Sequence, residues 1–197
     1  MHAFIIIFIS YLLGSFPTAY LLVKKIFKED IRTIGSGNPG MMNVLDNYGK
    51  RYAYWVGIID ILKGIIAISI SLLITPNEII AVLAGLIAVA GHDFSIFLKF
   101  KGGNGTATGA GAVLALMPVA SSIACLTGLF VGILVKSRRL GGNTAIILIP
   151  ILGFYLNVSN ILVIGSILIL LSIVLKVIFF EGFSLYHQKN KKVKKKQ

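Results

Sequence analysis

Apolar residues in this chain come in long runs, and the polar residues are gathered into short stretches between them. Seven apolar segments can be drawn, at 3–23, 53–75, 79–98, 105–117, 119–135, 144–156 and 159–180. Runs of this kind predict helices buried in a bilayer, because a hydrocarbon core of about 30 Å is crossed by about 20 helical residues. The fourth and sixth are short: about thirteen residues of helix rise only about 20 Å. They must borrow polar ends from the adjoining loops or sit where the membrane narrows. No Lys or Arg precedes the first segment and no Ala-x-Ala site follows it, so it reads as a retained span rather than a signal peptide. The expected fold is all-α, a polytopic membrane protein with seven transmembrane helices.

Charge sets the expected orientation. Apart from Lys63 and Lys176, basic residues fall at 24–32, 50–51, 99–101, 136–139 and in the tail, whereas the stretches at 75–78, 118 and 156–160 contain none. Lys and Arg collect in cytoplasmic loops. The pattern therefore predicts an external amino terminus, a cytoplasmic carboxyl terminus and Gly-rich motifs in cytoplasmic loops. Six or eight spans would leave one basic cluster on the wrong side. The division expected is one membrane domain over 1–183 and a basic cytoplasmic tail over 184–197.

Composition agrees with a membrane location and narrows the partners. Of 197 residues, 56% are hydrophobic and 13% charged, which excludes an ordinary water-soluble domain. A net charge of +12 would suit nucleic acid, but the cations flank apolar segments, so membrane lipid is the expected partner and nucleic acid is not. Cys125 is the one cysteine, which rules out a disulfide framework. His2, His92 and His187 are too dispersed for a local metal motif, so neither a metal nor a cofactor is expected.

The polar interruptions carry the candidate chemistry. In GSGNPG, residues 35–40, glycines let backbone N–H groups converge as in an anion-binding nest, with Ser36 and Asn38 as neutral donors and Arg32 able to close over an anion. A tight re-entrant turn capped by Ser and Asn explains the same residues. In the stretch 91–111 a helix ends, turns through KGGNG and restarts at Thr106 on a Gly/Ala-rich helix whose amino end offers N–H groups to a phosphate, with Lys101 as a point charge. Helix packing through small residues with lysine anchors is the alternative. His92 is either a packing residue or a phosphate donor or proton carrier. Asp60 and Lys63 lie at i and i+3 inside an apolar segment, where charges are retained only if paired or solvated. Asp60 would orient Lys63 toward an anion, or the two would lock helices together.

The runs YLLGSFPTAYLL (11–22), Asp30 and Arg32 through GSGNPGMMN, DILKG (60–64) and GHDFSIFLKFKGGNGTAT (91–108) together resemble the bacterial acyl-phosphate:glycerol-3-phosphate acyltransferases. The resemblance implies a small enzyme of the bacterial inner membrane, with seven spans and an active site facing the cytoplasm. It implies transfer of a fatty acyl chain from acyl phosphate to the sn-1 hydroxyl of glycerol 3-phosphate, giving 1-acylglycerol 3-phosphate, and other phospholipid-synthesis enzymes as partners. By this likeness Ser36, Asn38, Arg32, His92 and Lys101 are expected to be catalytic. Substrate phosphate would be bound by Gly35, Gly37, Gly40, Asn43 and Lys63, by Gly102, Gly103, Asn104, Gly105 and Thr106, and by Arg138. His187 and Asn190 match the family's final His-x-x-Asn and join that set. Asp60 is assigned an orienting role.

The chain also departs from the family pattern. Asn104 stands where the family's Gly-Gly-Lys-Gly loop has lysine, exchanging a cation for a neutral amide. Gly141 stands where a serine is usual, Pro39, Met41 and Met42 replace small residues, and the end of the chain is lysine-rich. These departures keep two further readings open, a catalytically weak paralogue that binds phospholipid precursors and, from the intramembrane Asp60 and Lys63, a small transporter.

Overall fold

The computed structural model describes residues 2–181, and among these the regular structure is helical. His187, Asn190 and the basic tail lie outside the described residues. The helices are α1 (His2–Ser15), α2 (Thr18–Phe27), α3 (Met41–Tyr48), α4 (Lys50–Ile74), α5 (Glu78–Asp93), α6 (Thr106–Leu116), α7 (Pro118–Leu134), α8 (Arg138–Tyr155) and α9 (Asn160–Lys176). Short 3-10 turns at Ile31–Thr33 and Ile96–Leu98 precede the two glycine-rich loops.

Local chemistry accounts for most of the boundaries. Pro17 has no N–H to give and restricts Phe16, so the first apolar run breaks into α1 and α2. Asn77 caps α5, its side-chain oxygen accepting from the N–H groups of Ile79 and Ile80. Pro118 opens α7 at a position where a missing N–H costs nothing. Ser137 caps α8 by accepting from the Leu140 N–H.

Each of the seven apolar segments forms helix, but seven spans is not the result. Four helices are long and apolar enough to cross a membrane among the described residues: His2–Phe27, Lys50–Ile74, Glu78–Leu98 and Asn160–Phe179. The 11 residues of α6 reach only about 16 Å, and the 17 of α7 about 26 Å, against a core of about 30 Å. The first half of α8 is the polar run RRLGGNT. Loop residues extend the sixth apolar segment, where RRLGGN joins α8, but not the fourth, because Gly105 turns the backbone out of α6 at φ 64° and the chain turns again at Met117. The orientation argued from seven spans, with its external amino terminus and cytoplasmic carboxyl terminus, loses its footing with the count. Two other expected loops are helical: α3 lies within 24–52, and RRLGGN begins α8.

One buried cluster joins α4, α5, α6, α7 and α9 through Ile68, Val89, Val113, Ala124 and Ile169. A second, smaller one packs α2 and α3 on α4 through Val23, Ile31, Val44 and Val56. Helices α4 and α6 touch backbone to backbone. A Cβ on Gly64 would overlap the Thr108 carbonyl, and one on Gly111 would overlap that of Ile61. That approach carries Asp60 and Thr108 toward each other and fixes the amino end of α6 beside α4. Many large apolar side chains, including Leu73, Leu126 and Phe154, point outward as lipid-facing residues do.

Candidate active site

The first glycine loop is built around Asn43, at the start of α3. Asn43 is buried, and its Nδ2 lies 3.2 Å from the Ile31 carbonyl and 3.0 Å from those of Ile34 and Asn38. Its Oδ1 accepts from the Ser36 N–H at 3.1 Å and from Asn47 Nδ2 at 2.9 Å. Gly35 and Gly37 have φ of 55° and 76°, which lets the chain fold back over this amide. The result turns Ser36 outward while Asn43 is committed to the loop itself.

Arg32 is also engaged. Its guanidinium donates to both Asp30 oxygens, with Nη2 to Oδ2 at 2.7 Å, and lies 5.0 Å from the centre of the Tyr20 ring. The Arg32 hydrogen bond holds the Asp30 carboxyl below the ordinary carboxylate range, and the same contact raises Arg32.

The second loop is pinned to the end of α5. Gly103 N–H donates to the His92 carbonyl and Gly102 N–H to the Asp93 carbonyl, each at 3.1 Å. These two N–H groups are therefore spent on the protein rather than gathered into a nest. Lys176 Nζ reaches the same Asp93 carbonyl at 3.2 Å from α9, with the Phe94 ring 4.0 Å away. A Cβ on Gly103 would overlap His92 Nε2 and lie 3.4 Å from Asn38 Oδ1, so the first loop, the second loop and the α5 histidine meet at one point.

At that meeting lies a cavity of about 440 Å³. Its polar wall holds Ser36, Asn38, Asn43, Asp60, His92 and Asn104, and the first turn of α6, from Gly105 to Ala107, closes one end. Gly105, at the N-cap of α6, brings no capping side chain, and the first turn lines the cavity, so the positive end of the helix dipole lies at its wall, a disposition that suits an anion. Met41, Met42 and Ala110 supply an apolar side.

The cations are placed differently from what sequence suggests. Among the described residues no Lys or Arg lines the cavity, and Asp60 is its one formal charge. Lys63 is buried and donates to Asp60 Oδ1 at 2.6 Å and to the Phe16 carbonyl beside the Pro17 break, which also accepts from the Thr18 N–H. Lys101 is exposed outside the cavity. Arg138 lines a separate groove of about 330 Å³ between α7 and α8, where Gly141 packs against Gly128 and Gly132. Residues that sequence reasoning left out of the site are Thr18, which donates to Asp60 Oδ1 at 2.9 Å, and Thr108, whose Oγ1 lies 3.2 Å from His92 Nδ1. Both are polar positions in otherwise apolar or small-residue helices, which was the available signal.

Comparison with known proteins agrees across the chain. The family model described as "Glycerol-3-phosphate acyltransferase" matches residues 4–192. A glycerol-3-phosphate acyltransferase of Prochlorococcus marinus (strain MIT 9215) is 46% identical over 153 residues, 77% of each chain. One from Thermoanaerobacter pseudethanolicus is 38% identical over 174 residues, covering 88% of this chain and 87% of that one. Among solved structures, PlsY (YgiH), an integral membrane glycerol 3-phosphate acyltransferase, aligns in its glycerol 3-phosphate form with TM-score 0.82 at 30% identity, over 90% of this chain and 88% of that one. Its lysophosphatidic acid form aligns with TM-score 0.81 at 28% identity, over 96% and 93%. With the family model matched over residues 4–192, a relative 46% identical over 77% of the chain, and a solved member sharing its helical frame, the chain belongs to the glycerol-3-phosphate acyltransferase family.

Proposed function

We propose that this integral, multi-pass membrane protein transfers a fatty acyl chain from an acyl phosphate to the sn-1 hydroxyl of glycerol 3-phosphate. The hydroxyl oxygen bonds to the acyl carbon, the bond from that carbon to the bridging phosphate oxygen breaks, and the hydroxyl proton leaves with the phosphate. The products are 1-acylglycerol 3-phosphate, which is lysophosphatidic acid, and inorganic phosphate. An acyl phosphate is a mixed anhydride and is already activated, so the protein's part is to position the two substrates and stabilise developing charge.

The observation that carries this reading is the convergence of both glycine loops on the open amino end of α6, beside an apolar wall. On this assignment the α6 N–H groups, Ser36, Asn38 and Asn104 hold phosphate oxygens. His92 sits where it can donate from Nε2 to an oxyanion, with Nδ1 turned to Thr108. The acyl chain follows Met41, Met42 and Ala110. Asn43, Gly102 and Gly103 shape the loops, Lys63 holds Asp60, and Arg32 anchors the approach to the first loop. The cavity faces the cytoplasm, where the basic residues of 24–32 and 50–51 lie against anionic lipid.

Purified protein given glycerol 3-phosphate should form lysophosphatidic acid with acyl phosphate and none with acyl-CoA. Equal rates with both donors, or no product with either, would sink the assignment.

A further inference from the structure

Asp60 is 2% exposed, yet it lines the cavity. All of its hydrogen bonds from described residues arrive at one oxygen. Thr18 Oγ1 donates to Oδ1 at 2.9 Å and Lys63 Nζ at 2.6 Å, and His92 Nδ1 stands 3.9 Å from that same atom. Oδ2 accepts from none of the described residues. A carboxylate oxygen without a donor is costly away from water, and here the cavity is the space from which a donor can come.

We infer that Asp60 orients the acceptor substrate by accepting a hydrogen bond at Oδ2 from the sn-2 hydroxyl of glycerol 3-phosphate. The inference rests on the proposed acyl transfer and adds to it the group that reads the glycerol. Two arguments select this hydroxyl. In the transfer step the sn-1 hydroxyl gives its proton to the departing phosphate, so the sn-2 hydroxyl is the donor that still needs an acceptor. The other polar groups of the cavity wall, the α6 N–H groups and the Ser, Asn and His side chains, suit the phosphate. Coulomb repulsion then sorts the two ends of the substrate. The dianionic phosphate is driven from Asp60 toward the positive end of α6, and the diol is left against the carboxylate. Thr18 and Lys63 hold the carboxylate in one rotamer, so the sn-1 hydroxyl is presented to the acyl donor and the sn-2 hydroxyl is kept from it.

The test compares two acceptors, glycerol 3-phosphate and 3-hydroxypropyl phosphate, which retains the hydroxyl to be acylated and lacks the sn-2 hydroxyl. In the native protein kcat/KM should fall by roughly tenfold to a hundredfold on losing that hydroxyl, the range for a hydrogen bond to a charged group. In Asp60→Asn, Thr18 and Lys63 will hold the amide oxygen in the place of Oδ1. The NH2 then faces the cavity, a donor where an acceptor is required, and the discrimination should shrink to within about threefold. Thr18→Val removes one donor from Oδ1 and leaves Oδ2 in place, so it should keep most of the discrimination whatever it does to the absolute rate. If Asp60→Asn fails to fold, Asp60→Glu decides the matter, since it keeps the charge for Lys63 and displaces the acceptor by a methylene. Its discrimination should also fall.

The proposal is overturned if Asp60→Asn, or Asp60→Glu in its stead, lowers both acceptors by the same factor. That is the signature of a purely structural ion pair. It is overturned as well if the native protein does not distinguish the two acceptors. Absence of acylation of either acceptor by the native protein refutes instead the acyl transfer on which the inference rests.

Discussion

Asn43 commits its amide to three carbonyls of one loop and its oxygen to two donors, so removing it leaves several buried partners unmatched at once. Asn43→Ala should cost about 1–3 kcal/mol in thermal unfolding in detergent, the penalty for unsatisfied buried groups. The KM for glycerol 3-phosphate should rise with it as Ser36 loses its position. Gly103 makes a different demand. A methyl there meets the His92 ring, so Gly103→Ala should reduce kcat at least tenfold while moving the unfolding midpoint little, because the ring rather than the fold gives way. At position 104 the amide replaces a cation. Asn104→Lys should lower the KM for glycerol 3-phosphate by roughly tenfold, as a charge-assisted bond replaces a neutral one. Asp30 offers a test by pH. Its carboxyl is held below the ordinary value of about 3.9, so the stability it contributes is present above that value and lost as pH falls through the lower folded-state value. The gap in unfolding midpoint between the native chain and Asp30→Asn should be constant near neutrality and close only in strong acid.

Helix existence was legible in the hydrophobic runs, and helix length was not. Apolarity marks where a chain is shielded from water, but it does not say whether lipid or other helices provide the shield. In α6 the small residues Gly109, Gly111 and Ala112 are buried against α4, α5 and α9, so an 11-residue helix suffices there. The short polar helix α3 escaped notice because MMNVLDNY has a helical period only two turns long. For the site, the meeting of the loops at 35–40 and 101–105 was visible as a shared chemistry of glycine and amide. The second contact of Lys63 was hidden, since the carbonyl it reaches lies 47 residues away beside a proline break. Pairing at that break also predicts an asymmetry. Lys63→Met should destabilise the protein by about 3–5 kcal/mol, because it strands the Asp60 charge in the interior. Lys63→Met combined with Asp60→Leu should recover most of that loss in thermal melts and leave the enzyme inactive.

For the molecule as a whole, the proposed cytoplasmic placement of the cavity is open to labelling. In a Cys125→Ala background, Ser36→Cys should react with an impermeant thiol reagent in inverted vesicles and stay protected in intact cells. The reverse pattern would overturn the cytoplasmic placement. The cavity wall has a further consequence through its lack of lysine and arginine among the described residues. A pocket that grips phosphate with ammonium or guanidinium groups at the surface loosens as electrolyte accumulates around it. One that grips it with the fixed dipoles of amides and a helix end, set back among packed helices, leaves mobile ions little to shield. Raising sodium chloride from about 0.05 to 0.5 M should therefore change the KM for glycerol 3-phosphate by less than about twofold, and this enzyme should tolerate brine better than relatives that keep the lysine.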